Sequence, residues 1–254
     1  MHDTDRELRL ATALVEAADT LADGFETPHH LRRVADRCVE LLDARAAGIM
    51  LVEAGRAVSL AGSSRQEAVA LDLLNAQHGG GPCLESYGTG RPVPPVSIRV
   101  AHAAARWPDF TELALRHDIA GTYAVPLRRR ETLLGALNVF VPTLPDGVEA
   151  QLPVAQALAD ATAVGLHNHR THDEYRTLAG QLQQALSSRV RIEQAKGMLA
   201  ERWGTGADAA FGALRQYARR RRLPLDQVAR GVVERTLGDE ELRARPPGGP
   251  LDRP

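Results

Sequence analysis

The 254-residue sequence predicts an α+β fold continued by an all-helical module. Two double apolar runs, "AAGIMLVEAGRAVSLAGSS" and "TYAVPLRRRETLLGALNVFVP", are each interrupted by a short polar turn and read as β-hairpins. Stretches before and between them repeat apolar residues at steps of three and four, which is the helical period. From about Gly147 to Trp203, Pro153 is the only strong breaker, so helix runs on almost without pause. Together these observations predict an antiparallel sheet flanked by helices, a long connecting helix and a small C-terminal bundle.

Each element has its own local reason. Residues 6–22 and 29–42 read as amphipathic helices; in the second, Leu31, Val34, Cys38 and Leu41 share one face. Thr27 and Pro28 suit its cap and first turn. The first hairpin turns at "EAGR", and a helix is expected over 66–77. The glycines and prolines of "HGGGPCLESYGTGRPVPPV" predict a loop, a helical turn around 84–87 and an extended piece over 93–98. "RWPDFTELALRH" reads as a short helix, and Leu133, Leu137 and Val139 are expected on the buried face of the second hairpin.

In the long helix, Leu178, Ala185, Ile192 and Leu199 fall seven apart, the seam spacing of a coiled coil, while Gln181 and Ser188 leave the complementary positions polar. Such a seam predicts a connecting helix able to pair two protomers. After "GTGAD", Thr205 and Asp208 have the spacing of a helix start. Phe211, Leu214 and Ala218 form one apolar stripe, "RRRRLP" ends that helix, and Leu225, Val228, Ala229, Val232 and Val233 stripe the next. The expected divisions are 1–169, 170–190, 191–238 and a disordered Pro/Gly-rich tail over 239–254.

Composition bounds the function. With 44% hydrophobic and 25% charged residues, the chain reads as a soluble globular protein, and a cytoplasmic one. "MHDTDRELRL" is too polar for a secretory signal. Cys38 and Cys83 supply neither a disulfide framework nor a cysteine-based zinc site. The net charge of −1 hides a polarity: residues 189–235 hold eleven Lys+Arg against five Asp+Glu, about +6, leaving about −7 for the remainder.

Several strings resemble active-site motifs and fail on context. "HGGG" at 78–81 lacks the G-x-S-x-G nucleophile elbow that an esterase requires. "GTGADA" follows a helix, whereas a dinucleotide fingerprint follows a strand. His167, His169 and His172 lack the i, i+4 pair of a helical zinc site, so no metal is expected. Paired carboxylates, a nucleophile motif and a phosphate loop do not emerge either, and no enzyme activity is expected. Cys38 and Cys83 read as buried packing.

Two resemblances then fit the pattern. "GGGPCLESYGTGRPV", "RWPDF", "AVPLR" and "LGALNVF" resemble the GAF domains of actinobacterial regulators. That resemblance implies a PAS-like antiparallel sheet with helices on both sides, and a pocket that in some members holds a small ligand. Determinants for a cyclic nucleotide, a bilin or haem are not recognisable; the cofactor stays unknown, and a ligand position near Cys83 is an expectation. "IEQAKGMLAERWGTGADAAFGALRQYARRRRLPLDQVARGVVE" is similar to the ANTAR domain almost end to end. The similarity implies a dimeric three-helix RNA-binding module that recognises paired hairpin loops in nascent transcripts and prevents a terminator from forming. Jointly the resemblances imply a transcription antitermination regulator that senses a signal through its first domain. The alternative is a DNA-binding regulator, but the last helix offers mainly Asp226, Gln227, Arg230 and Glu234, two of them acidic.

Lys196 is the single lysine among 31 Lys+Arg. Lysine is a compact charge on a flexible stem, and Gly197 beside it would admit a close RNA backbone despite a helix cost of about 1 kcal/mol. Arg215 and Arg219 lie four apart on one face, with Gln216 and Tyr217 beside them to read or stack on bases. Arg220 joins the electrostatic field of the arginine run. With Gln194 and Arg202, these residues make up the expected RNA-binding set.

Overall fold

Both hairpins take their place in one five-stranded antiparallel sheet of order β2-β1-β5-β4-β3. The computed structural model describes residues 2–21, 24–145 and 147–243. The strands are β1 (Ala46–Glu53), β2 (Arg56–Gly62), β3 (Val93–Ser97), β4 (Gly121–Arg129) and β5 (Thr132–Val141). Around them lie α1 (His2–Ala18), α2 (Thr27–Leu41), α3 (Glu67–Asn75), α4 (Pro82–Thr89), α5 (Ile98–Ala103) and α6 (Pro108–Arg116). The first hairpin turns through Ala54 and Gly55, both at positive φ (49° and 76°), as the twist of a two-residue hairpin favours.

Central strands are buried on both faces, and side-chain alternation divides their residues between two cores. On one face Ile49, Tyr123, Val125, Leu127, Leu137 and Val139 pack with Leu31, Val34, Ala35 and Cys38 of α2. On the other, Ala46, Ala124 and Phe140 meet Leu73, Phe110 and Trp107, while Met50 and Ala136 meet Leu74 and Cys83. Pro94 and Pro95 lie on β3, an edge strand, where a missing donor costs least.

The first core is closed by α7 (Leu152–Trp203), a 52-residue helix whose Ala155, Leu158, Ala159 and Ala163 are buried there. Pro153, the expected breaker, sits in its first turn, where a missing N–H costs nothing. The chain divides into the units Met1–Asp173 and Glu174–Pro254.

Some expectations needed correction. The first helix covers His2–Ala18, and Ala22, its expected end, lies outside the described residues. Glu26 is the N-cap of α2, so Thr27 and Pro28 are already helical. Leu133 is only half-buried and does not share the face of Leu137 and Val139. The pairing of β4 with β5 shifts register between Leu127 and Arg128, where Leu134 becomes the extra residue and itself packs against the first core. Nearby Gly135 is required by close approach, since a Cβ there would stand 1.9 Å from the Met50 carbonyl oxygen.

The "HGGG" loop is anchored rather than open. Buried Gln77 donates from Nε2 to the Leu73 carbonyl (3.2 Å), and its Oε1 accepts the Cys83 N–H (2.8 Å). Burial pushes the Cys83 and Cys38 thiols up to about 12. Both cysteines therefore act as packing, not as reactive thiolates.

His30 is buried, with neither ring nitrogen hydrogen-bonded among the described residues, and its ring lies 5.2 Å from that of Phe25. Burial, reinforced by Arg33, pushes its imidazole down to about 4 from an ordinary 6.5. The unfolded chain thus binds a proton at a higher pH than the folded one. Stability is full above pH 6.5 and falls as pH drops toward 4, by about 1.4 kcal/mol per pH unit. Denaturant titration followed by Trp107 emission in a Trp203→Phe background should show about 2 kcal/mol lost between roughly pH 7 and pH 5. His30→Leu should remove most of that slope; an unchanged slope would assign it to other groups.

Candidate nucleic-acid interface

Small and branched apolar residues at helical spacing build the second unit. Ala195 and Leu199 of α7 pack with α8 (Ala207–Arg221) through Ala210, Leu214, Tyr217 and Ala218, and with α9 (Leu225–Val233) through Val228, Ala229 and Val232. Gly206, not Thr205, is the N-cap of α8, and no side-chain capping bond forms there. Phe211 is only half-buried; Ala210 and Tyr217 take the inward positions with Leu214, and the Arg215 guanidinium lies 5.7 Å from the Phe211 ring centroid.

A fourth helix, α10 (Asp239–Arg243), stands where the tail was expected to be disordered. Leu242 is 3% exposed and seals the bundle core. Around it, Arg202 pairs with Asp239 (3.0 Å), Tyr217 donates its hydroxyl to Glu241 (3.4 Å), and Arg220 donates to the Glu241 carbonyl (2.9 Å). No periodic pattern announces so short a helix, although its acidic first turn and single leucine are the available signal. Residues 244–254 lie outside the described residues.

These contacts sort the expected RNA-binding residues into groups. Arg202, Tyr217 and Arg220 are brought together, but around α10. Tyr217 is 5% exposed with its ring in the core, so it cannot stack on a base without leaving the bundle. Arg215, Gln216 and Arg219 are exposed along one side of α8. On α7, Gln194 and Gly197 are exposed, and Lys196 pairs with Glu193 one turn back. Among the described residues no hydrogen bond or ion pair joins Gln194 or Lys196 to the α8 group. A Cβ on Gly197 would meet nothing within 4 Å, so internal packing does not explain the glycine.

The acidic residue of α9, Asp226, is held back from this surface. Asp226 accepts two bonds from Arg191 (2.8 and 3.1 Å), and the Arg191 guanidinium keeps its carboxyl below the usual range. The heptad seam is likewise redistributed. Leu199 is fully buried in the bundle and Ile192 packs against it, so neither is available to a second helix. What remains exposed is Tyr175, Leu178, Leu182, Leu186 and Val190, whose steps of three, four, four and four depart from a strict seven-residue repeat.

An antiparallel sheet with helices on both faces, followed by a basic helical bundle, is the architecture of a sensory domain joined to a nucleic-acid-binding one. The chain belongs to the GAF domain family, whose model matches residues 29–167, and an ANTAR domain matches residues 180–233. The ANTAR match implies an RNA-binding antitermination regulator, and the GAF match a sensory domain. The comparison with curated proteins found no match.

Among solved structures, it is similar to a free methionine-R-sulfoxide reductase from Neisseria meningitidis (17% identity, 66% of this chain and 91% of that one, TM-score 0.47). It is also similar to the nlh2 GAF domain of A. aeolicus (13% identity, 64% and 98%, TM-score 0.47). A third similar structure is the chromophore-binding domain of an unusual bacteriophytochrome from R. palustris (10% identity, 67% of this chain, TM-score 0.46), of which this chain spans 63%. No helix among the described residues is long and apolar enough to cross a membrane.

If α10 is part of the bundle, Leu242→Ala should destabilise it by about 2–3 kcal/mol, as for a buried leucine at the end of a core. The Trp203 emission of a Trp107→Phe background reports this unfolding. A change within about 0.5 kcal/mol would mean that α10 does not contribute to the core.

Proposed function

We propose that the chain binds paired RNA hairpin loops as a homodimer, through the outward side of α8 and the neighbourhood of Lys196, under control of a small-molecule ligand in its GAF domain. The carrying observation is the outward side of α8, where Arg215, Gln216 and Arg219 are exposed with no acidic partner among the described residues. The arginines hold phosphates and set the register of the loop, and Gln216 is the polar reader. Lys196 and the bare backbone at Gly197 form a second approach, with Gln194 beside them. Arg202 and Arg220, tied to α10, contribute field rather than direct contact.

Lys196 exchanges its Glu193 partner for a phosphate. A surface pair of this kind costs little to break, about 0–1 kcal/mol. Titration with a two-hairpin RNA at several salt concentrations should show Lys196→Ala and Arg215→Ala each weakening binding by about 1–2 kcal/mol. Each should also make the salt slope shallower by about 1. Lys196→Arg separates a shaped contact, which loses affinity, from a field effect, which does not. Wild-type affinity in all three variants, or equal binding to duplex DNA of matched length, would overturn the reading and return the DNA-binding alternative.

The exposed stripe of α7 supports the dimer. Leu178, Leu182 and Leu186 are each 51–59% exposed on consecutive turns, apolar area that a second copy would cover. Leu182→Asp with Leu186→Asp should give monomers in sedimentation and weaken two-loop RNA far more than one-loop RNA, because paired sites raise effective concentration. Persistence of the dimer would place the interface elsewhere.

A further inference from the structure

Where α8 meets α9, the chain folds back over itself and leaves a groove of about 340 Å³ lined by Arg215, Ala218, Arg219, Arg222, Leu223 and Leu225. Helix α8 ends with Arg222 in the left-handed region (φ 54°), and the Leu223 N–H returns to the Ala218 carbonyl at 2.9 Å. This six-to-one closure brings Leu223 back over Ala218, the hydrophobic contact that accompanies such helix ends. Leu225 follows as the first residue of α9. Ala218, Leu223 and Leu225 supply the apolar part of its lining, and Arg215, Arg219 and Arg222 the cationic part.

Among the described residues no carboxylate lines the groove. The nearest in sequence, Asp226, is occupied by Arg191 and lies 3.7 Å from Arg230, so its charge is balanced from two sides. Leu223 is 37% exposed, so part of its side chain is open to a ligand. A purely electrostatic phosphate track needs no apolar floor, and an apolar peptide site needs no cationic rim. The two together suit a flat, weakly polar ring that carries an anion on either side.

We propose that this groove receives one unstacked base of an RNA loop. The base lies on Leu223 and Leu225 against the arginine planes, and Arg215, Arg219 and Arg222 hold the flanking phosphates. Guanidinium planes and apolar side chains are both platforms for splayed-out bases. Leu223, Leu225 and Arg222 thereby become base-holding residues, beyond the outward side of α8. The assignment rests on the RNA-binding reading above.

The test uses the full chain and tandem hairpins with randomised loops, enriched against the chain itself; the enriched RNA is then titrated with each loop base in turn made abasic. One abasic position should weaken wild-type binding roughly tenfold, the loss expected for one stacked base. Leu223→Ala should weaken binding of the intact RNA by a similar factor and be nearly silent on that abasic RNA. Arg222→Gly guards against misfolding: glycine relieves the positive φ, so thermal stability should hold or rise while RNA affinity falls several-fold with a shallower salt slope.

Additive losses for Leu223→Ala and the abasic change would overturn the base assignment. So would wild-type affinity in Arg222→Gly. Failure to enrich any RNA would overturn the RNA-binding reading and this groove with it, whereas enrichment without coupling overturns the groove alone.

Discussion

Alanine at every fourth position lets α7 lie close against the sheet, and the rest of the first unit is arranged around that approach. Ala155, Ala159 and Ala163 are all buried, with Leu158 as the large residue between them. The same closeness recurs at Gly165, where a Cβ would stand 2.7 Å from the Ala17 carbonyl oxygen, and Thr20 donates to the Gly165 carbonyl at 2.6 Å. Larger residues at these positions would push helix and sheet apart and unseat Tyr123, Val125 and Val139 from the face they share. The spacing returns at the other end of the helix, where Ala195 and Leu199 give α8 and α9 a surface to pack on.

Charge in the second unit is sorted by partner rather than by type. Arg191, Arg202 and Arg220 resemble their neighbours in sequence, yet each is committed to Asp226, Asp239 or the Glu241 carbonyl. Exposed pairs of this kind contribute little stability individually. Their larger effect is to orient α9 and α10, which leaves Arg215, Arg219 and Arg222 at the groove without competing carboxylates among the described residues.

The sheet, its two hairpins and the long helix were legible because each has a sustained period and strong turn chemistry. Ala54–Gly55 turns where "EAGR" suggested, and the alternation of β5 is interrupted only at the Leu134 bulge, which no period in the sequence encodes. Helices of five or six residues were not legible. Helix α5 and helix α10 complete less than two turns each, and tertiary contacts fix them. The site was half legible: composition marked the arginine run, while which arginines face acids depended on residues 20 to 40 positions away in sequence. Tyr217 illustrates the limit, since a tyrosine on a basic helix has the same letters whether it stacks on a ligand or fills a core. The heptad seam shows the same limit. Ile192 and Leu199 obey its spacing, but the bundle claims them first.

One consequence of the lone lysine lies in its chemistry. The 254-residue chain carries a single side-chain amine, on Lys196, one residue before a glycine whose surroundings are open. An amine-selective reagent therefore reads one position on this chain besides the N-terminus, and a lysine-specific protease has one bond to cut, the one joining Lys196 to Gly197. Amine reactivity and resistance to that cut would report directly on whether the last turns of α7 are covered, without any label being introduced.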